Sequence, residues 1–265
     1  MNVAQALALA RELGVERLDA QLLIAHLLQR DRAWLISHDD VPVDEVQARA
    51  LLSRRAAGEP FAYIVGQQEF HGLLLQVTPD TLIPRPDTEV IVDWALELLQ
   101  PGQRVVDLGT GSGAIALAIK HGCPGAEVHA VDLSAGALAI AQANAERLGL
   151  AVSFRQGSWL APLAGQRFEL IVSNPPYIAG GDSHLPALQH EPLSALTPGE
   201  DGLSDLQAII DAAPAHLSPG GWLLLEHGFD QAGPVAEALR AKGFTEVSLR
   251  RDLGGQPRAS GGRWA

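Results

Sequence analysis

Thiols, lysines and long apolar runs are all scarce in this chain. Cys123 is the single cysteine among 265 residues, which excludes an internal disulfide framework and any zinc or iron–sulfur site built from several thiolates. Flanked by Gly122 and Pro124, it reads as a small residue at a helix end. Lys120 and Lys242 are the only lysines, and neither follows a glycine as a phosphate-loop lysine does. No apolar stretch reaches the roughly 18 residues that a membrane helix requires, and Met1 to Ala10 lack the basic start and cleavage pattern of a signal peptide. A cytoplasmic protein with no membrane partner is the expectation. The nine histidines form no His-Glu-x-x-His pair and no Gly-x-Ser-x-Gly elbow occurs, so no metal site is expected and hydrolase chemistry has no motif to rest on.

What is present is acidic and apolar. With 31 acidic against 19 basic side chains the net charge is −12, which weighs against tight non-specific nucleic-acid binding without excluding a local basic patch. Hydrophobic residues make up 47%, and glycine and proline are dispersed rather than clustered. The composition is that of a globular chain.

Residues 1–60 read as helices alone, at Ala4 to Leu13, Leu18 to Gln29 and Asp44 to Ala57. Leu18, Leu22, Leu23 and Leu27 recur at helical spacing, Asp44 with Gln47 makes a capping start, and Gly58 a stop. These stripes predict a small bundle with its own core. Residues 61–84 change to short alternating segments, with a hairpin bending near Gly72 that would link two domains.

From residue 85 to 265 the pattern is α/β. A helix from Thr88 to Leu99 precedes strands at Arg104 to Leu108, Glu127 to Val131, Val152 to Gln156, Phe168 to Ser173, Trp222 to Glu226 and Glu246 to Arg250. Helices at Gly113 to His121, Ala135 to Leu148, Ser204 to Leu217 and Gln231 to Lys242 fill the gaps. Such alternation predicts a mainly parallel sheet with helices on both faces and a ligand at the carboxyl ends of its strands.

The first of those ends carries Asp107-Leu108-Gly109-Thr110-Gly111-Ser112-Gly113. Glycines there permit a sharp turn and close approach of a ligand to the main chain. With Ala114 the run also satisfies a dinucleotide fingerprint, but the charge of Asp107 would oppose a pyrophosphate and attract the ammonium and sulfonium groups of S-adenosylmethionine. Asp132, at the end of the second strand, is placed either to accept the hydroxyls of a ribose or to cap the next helix, a role Ser134 could also fill.

The fourth strand runs into Asn174-Pro175-Pro176-Tyr177. Paired prolines lack backbone donors and stiffen the loop, which leaves carbonyl oxygens free to accept. A planar NH₂ group needs two acceptors, and the amide oxygen of Asn174 with the carbonyl of Pro175 supplies them. The Tyr177 ring could then cover the flat group.

Together these elements resemble the amino-methyltransferases that act on planar NH₂ groups of adenine, guanine or glutamine. Across the full length the chain is similar to the peptide chain release factor glutamine methyltransferases, the HemK/PrmC family. The likeness extends to Leu82-Ile83-Pro84-Arg85-Pro86-Asp87-Thr88-Glu89, Gly199-Glu200-Asp201-Gly202-Leu203 and Leu225-Glu226-His227-Gly228. It implies an S-adenosylmethionine-dependent, Rossmann-like domain, preceded by a helical domain that docks the substrate. It also implies that Gly109, Thr110, Gly111, Ser112 and Gly113 line the donor, Asp132 binds its ribose, and Trp159 flanks its adenine unless it is a core residue. Asn174 would touch the donor and, with Pro175, Pro176 and Tyr177, hold the glutamine of the release factors' Gly-Gly-Gln loop. Asn174, Pro175 and Tyr177 are thus the implied catalytic group. Arg85, Asp87 and Glu89 either shape the substrate entrance or start a helix. Gly261-Gly262-Arg263 stands where the family has an apolar final strand. The rival readings are methylation of a base amine in DNA or RNA, a non-catalytic adaptor that binds a nucleotide only for stability and, least supported, a nicotinamide dehydrogenase.

Overall fold

The computed structural model describes residues 1–183 and 185–265 and divides into two compact units, Met1–Gln67 and Gln68–Ala265. The first is helical: α1 (Val3–Glu12), α2 (Arg17–Leu27), α3 (Arg32–Ile36), α4 (Glu45–Ala56) and α5 (Phe61–Val65). Asn2 and Gln5 form a reciprocal cap on α1, and the Asp44 carboxylate caps α4 by accepting from the Gln47 N–H at 2.9 Å. The bundle has its own core of Val3, Ala6, Leu23, Ile24, Leu52 and Ile64. Two local expectations need correcting. Leu18 is half exposed, so the inward face of α2 runs through Ala20, Leu23 and Ile24. Residues 61–65 are a helical turn rather than an extended segment, because Ala62, Tyr63 and Ile64 must all turn inward together.

The expected hairpin, β1 (Gln67–Phe70) and β2 (Leu73–Gln76), begins on the last residue of the first unit and turns at His71 and Gly72. The Glu89 carboxylate accepts from the His71 N–H at 2.9 Å, so Glu89 fastens this turn. A single 3-10 turn (Pro86–Thr88) then leads into α6 (Glu89–Leu98).

The main sheet is built from β3 (Arg104–Leu108), β4 (Glu127–Asp132), β5 (Val152–Gln156), β6 (Phe168–Ser173), β7 (Leu217–Glu226), β8 (Thr245–Arg251) and β9 (Pro257–Arg263). Their order is β5-β4-β3-β6-β7-β9-β8, parallel except for β9, which is antiparallel to both of its neighbours. Helices α7 (Ala114–Gly122), α8 (Ala135–Leu148), α9 (Ser204–Ala212) and α10 (Ala232–Lys242) complete the fold. Cys123 is the residue that ends α7. Two apolar cores sandwich the sheet, one around Ile91, Leu117 and Val128, the other around Ile171, Ile209 and Leu223. Among the described residues no helix is long and apolar enough to cross a membrane.

The C-terminal edge departs from expectation. The helix that starts at Ser204 stops at Ala212, because Pro214 sits in a 3-10 turn, and β7 then begins at Leu217. Gly261-Gly262-Arg263 does form a strand, and an inner one. A Cβ on Gly261 would lie 2.5 Å from Leu224 Cδ2 and 2.8 Å from the Trp94 ring. The apolar bulk missing from β9 is supplied by its neighbours.

Candidate active site

The parallel registers bring the carboxyl ends of β3, β4 and β6 to one edge, where Leu108 pairs with Val131 and with Ser173. The Ser173 hydroxyl donates to the Leu108 carbonyl at 2.7 Å, and the Gly109 and Thr110 N–H groups donate to the Val131 carbonyl at 2.8 and 3.0 Å. The loop after β3 is thereby folded back over β4. Gly109 has φ of +74°, and a Cβ there would meet the Trp159 ring at 3.2 Å, so glycine satisfies the turn and the contact together.

Asp132 closes this arrangement. One of its oxygens accepts from the Gly111 N–H and the other from the Ser134 N–H, both at 2.8 Å. Ser134, not Asp132, caps α8. Each carboxylate oxygen has a second lone pair, and Asp132 borders a cavity of about 560 Å³. Gly109, Gly111, Trp159 and Asn174 border the same cavity, as does Pro176. Trp159 does so while packing on the second core, with a left-handed φ of +47°.

Thr110, Ser112 and Gly113 do not border it; the first two are buried beneath the loop and Gly113 starts α7. Asp107 is also buried there rather than facing the cavity. Its Oδ2 accepts from the Thr110 hydroxyl at 2.6 Å and the Ala116 N–H at 3.2 Å, while Oδ1 has no partner. Burial pushes its carboxyl up to about 7, opposed by those two hydrogen bonds. Its direct effect is therefore on the loop, not on a ligand's positive charge.

At the other wall, Asn174 Nδ2 donates to the Thr88 hydroxyl oxygen at 3.3 Å, which leaves Oδ1 as the amide atom available to a ligand. Pro175 is buried behind Asn174. The Tyr177 carbonyl accepts from Gln231 Nε2 at 3.0 Å, and its hydroxyl donates to Glu226 Oε1 at 3.2 Å. Burial, and then the Glu226 charge, hold the phenol well above its ordinary range, so Tyr177 stays neutral. Its ring is seated against the second core rather than on the cavity border.

Residues 89–195 match the family described as Methyltransferase small domain, and residues 2–66 match PrmC N-terminal domain. A release factor glutamine methyltransferase of Bordetella pertussis is 52% identical over 94% of this chain and 95% of that protein. The protein of that description in Coxiella burnetii is 44% identical over 97% of this chain and 94% of its own length. This chain belongs to the release factor glutamine methyltransferase family. As a member it is an enzyme with a methyltransferase domain, and the resemblance noted from its motifs holds along the full length. The fold agrees: a Pyrococcus furiosus methyltransferase superposes with a TM-score of 0.58 at 20% identity, covering 83% of this chain and 98% of that one. A Thermus thermophilus 16S rRNA N2 G1207 methyltransferase, solved with AdoMet and guanosine, gives 0.55 at 21%, covering 75% and 50%.

Several residues on and around this cavity carried no role in the sequence. Thr88 and Glu226 stood inside recognisable segments, yet nothing local says that they meet Asn174 and Tyr177. Asp205 borders the cavity with its carboxyl facing the Trp159 indole N–H, and burial raises it. Glu191 accepts from the Ile83 N–H at 3.0 Å and pairs with Arg85. Asp87 pairs with Arg258 at 3.4 Å. Arg85, Asp87 and Glu89 thus tie segments of the second unit together, by contacts far apart in sequence.

Proposed function

We propose that this chain transfers the methyl group of S-adenosylmethionine to the side-chain amide nitrogen of the glutamine in the Gly-Gly-Gln loop of peptide chain release factors. The observation that carries this reading is one cavity with two unlike walls: Gly109, Gly111, Asp132 and Trp159 at one, Asn174 and Pro176 at the other. Its volume of about 560 Å³ suits a nucleoside-sized ligand with room for a second group.

The residues fit the donor. Asp132 has lone pairs left for two ribose hydroxyls, Trp159 offers a flat ring for adenine, and Gly109 and Gly111 leave space for the remainder of the molecule. Thr110, Ser112 and Gly113 hold that loop from below. Bound there, S-adenosylmethionine supplies an electrophilic sulfonium methyl.

An amide nitrogen is a poor nucleophile because its lone pair is delocalised, so orientation is the chief task of this chain. Asn174 Oδ1 and the Pro175 carbonyl accept the two N–H groups of the substrate amide, which fixes its plane and favours the positive charge that develops on nitrogen. Pro176 keeps the loop stiff, and Tyr177, with its ring on the second core and its carbonyl held by Gln231, anchors the far end of that substrate-holding loop. No strong base is required, since the nitrogen becomes acidic as it is methylated and a loop carbonyl or water takes the proton. Helical residues 1–60 serve to dock the release factor.

The test is to incubate the chain with methyl-labelled S-adenosylmethionine and to offer a release factor, RNA and DNA separately. Label is expected on the Gly-Gly-Gln glutamine, with a fall in kcat of about a hundredfold or more for Asn174→Ala. Label only on nucleic acid would move the substrate to a base amine. Full turnover by the Asn174 variant would refute the mechanism.

A further inference from the structure

The chain carries a Gly-Gly-Gln of its own, at Gly254-Gly255-Gln256, the same tripeptide as the acceptor loop of the proposed reaction. Of its sixteen glutamines only Gln256 follows two glycines. The three residues lie in the turn that joins β8 to β9, at the carboxyl edge of the sheet, and all three are exposed, as is Leu253 before them.

The turn is built so that the glutamine side chain is the part left over. The Asp252 carboxylate accepts from the Gln256 N–H at 2.9 Å, and the Asp252 N–H donates to the Gln256 carbonyl at 3.0 Å. The Gly255 N–H donates to the Asp252 carbonyl at 2.9 Å, and Arg251 Nη1 donates to the Gly255 carbonyl at 2.9 Å. Gly255 has φ of +80°, which favours glycine, and a Cβ there would meet nothing within 4 Å, so the approach to Gln256 from that side is open. Both main-chain polar groups of Gln256 are engaged within the turn, while its side-chain amide has no hydrogen-bond partner among the described residues.

We propose that Gln256 is itself a methyl acceptor, N-methylated on its side-chain amide in the active site of a second copy of this chain. The inference rests on the methyl-transfer reading above. Entry into its own cavity is opposed by strand order, since β7 stands between β9 and the β6 strand that leads into Asn174. The turn is also fastened where it is: Arg258 binds Asp252 at 3.0 Å and Asp87 at 3.4 Å, and its carbonyl accepts from the His227 N–H at 2.9 Å. Among the described residues none of 252–258 borders the cavity. A second copy presents the turn end-on, with two glycines that bring no side chain to the cavity mouth and a long side chain whose flat amide reaches past them. Because the turn is preformed, little ordering entropy opposes its docking. There Asn174 Oδ1 and the Pro175 carbonyl accept the two N–H groups, as for a release factor. The Gln256 nitrogen bonds to the donor's methyl carbon as the carbon–sulfur bond breaks and its electron pair stays on sulfur. One amide proton then passes to water, which leaves N-methylated Gln256 and S-adenosylhomocysteine.

The experiment incubates the full chain with methyl-labelled S-adenosylmethionine, alone and with a release factor, and digests it with trypsin. Cleavage after Arg251 and Arg258 releases residues 252–258, in which Gln256 is the sole glutamine. Label is expected on that peptide in the chain alone, at a rate per chain that rises with chain concentration. A tagged Asn174→Ala chain should gain the same label only when untagged parent is present. Gln256→Glu should lose the label and still methylate the release factor at the parent rate. A second readout needs no donor: the Asn174 side-chain resonances of ¹⁵N-labelled Gln256→Glu should move with excess unlabelled parent and stay fixed with excess unlabelled Gln256→Glu. An unlabelled 252–258 peptide, a labelling rate per chain independent of concentration, or Asn174 resonances that respond alike to both partners would overturn the proposal. Label on a release factor but not on residues 252–258 refutes this inference alone. Label on Gln256 but on no release factor upholds it and refutes the release factor as substrate, and label on neither refutes both.

Discussion

Asp132 accepts the backbone N–H of Gly111 at 2.8 Å, so the acid that ends β4 also holds the glycine loop that follows β3. One carboxylate both shapes the loop and borders the cavity, and its removal has two effects at once. Asp132→Ala is expected to weaken S-adenosylmethionine binding by tenfold or more, since a charge-assisted hydrogen bond contributes about 1.5–3 kcal/mol. Titration calorimetry measures it. Affinity within twofold of the parent would remove Asp132 from the donor site.

Gly109 is constrained by conformation and by space. Gly109→Ala places a Cβ 3.2 Å from the Trp159 ring at a φ of +74°. A left-handed conformation costs an L-residue about 1–2 kcal/mol, so a drop in Tm of several degrees is expected, together with weaker donor binding as the indole is displaced. A variant as stable and as tight as the parent would show that the loop relaxes freely.

Glu191 fastens two segments that border the cavity. It binds the Ile83 N–H and Arg85, just after Pro79 to Leu82, and just before Pro192, Ser194 and Ala195. Glu191→Ala strands a buried N–H and a cation, at a cost of about 1–3 kcal/mol. Faster limited proteolysis within residues 185–200 and weaker donor binding are expected. Unaltered cleavage would count against the tie.

Stability should fall from pH 5 to pH 8. Burial raises Asp107 and Glu226 to about 7, above ordinary values of 3.8 and 4.5. The folded chain then keeps protons that the unfolded chain releases. Their contribution is complete below the ordinary values and is lost as pH rises through 7, on the order of 4 kcal/mol at most for Asp107. Glu127 and Asp211, held low by His129 and by Lys242, act in the opposite sense at more acid pH, and His227, lowered by burial, opposes the trend as pH rises through its ordinary value, one imidazole against two carboxyls. Urea midpoints across this range check the direction; a midpoint that rises toward pH 8 would contradict it.

Much of this fold is legible from residue order because its signals are local. Strand and helix alternate at periods that a short window reveals, the His71-Gly72 turn and the Asp44 cap are adjacent-residue chemistry, and Asp107 to Gly113 announces a strand entering a tight loop. The Asn174-Pro175-Pro176-Tyr177 segment is equally plain, since proline stiffness and side-chain type belong to the residues themselves. The glycines of β9 misled for the converse reason: strand character there comes from Trp94, Leu224 and Phe244 packed against it, not from its own side chains.

The sequence by itself determined a helical unit, an α/β sheet, and the glycine-rich and Asn-Pro-Pro-Tyr segments proposed to hold a methyl donor and a planar amide. Only the tertiary structure decided that Asp107 lies beneath its loop, that Glu191 clasps Arg85, that Thr88 meets Asn174 and that Glu226 meets Tyr177. Glu191 and Arg85 lie 106 residues apart in the chain, and Asn174 and Thr88 lie 86 apart. Strand order and burial bring them together, and burial, which no local pattern encodes, sets how such groups hold their protons.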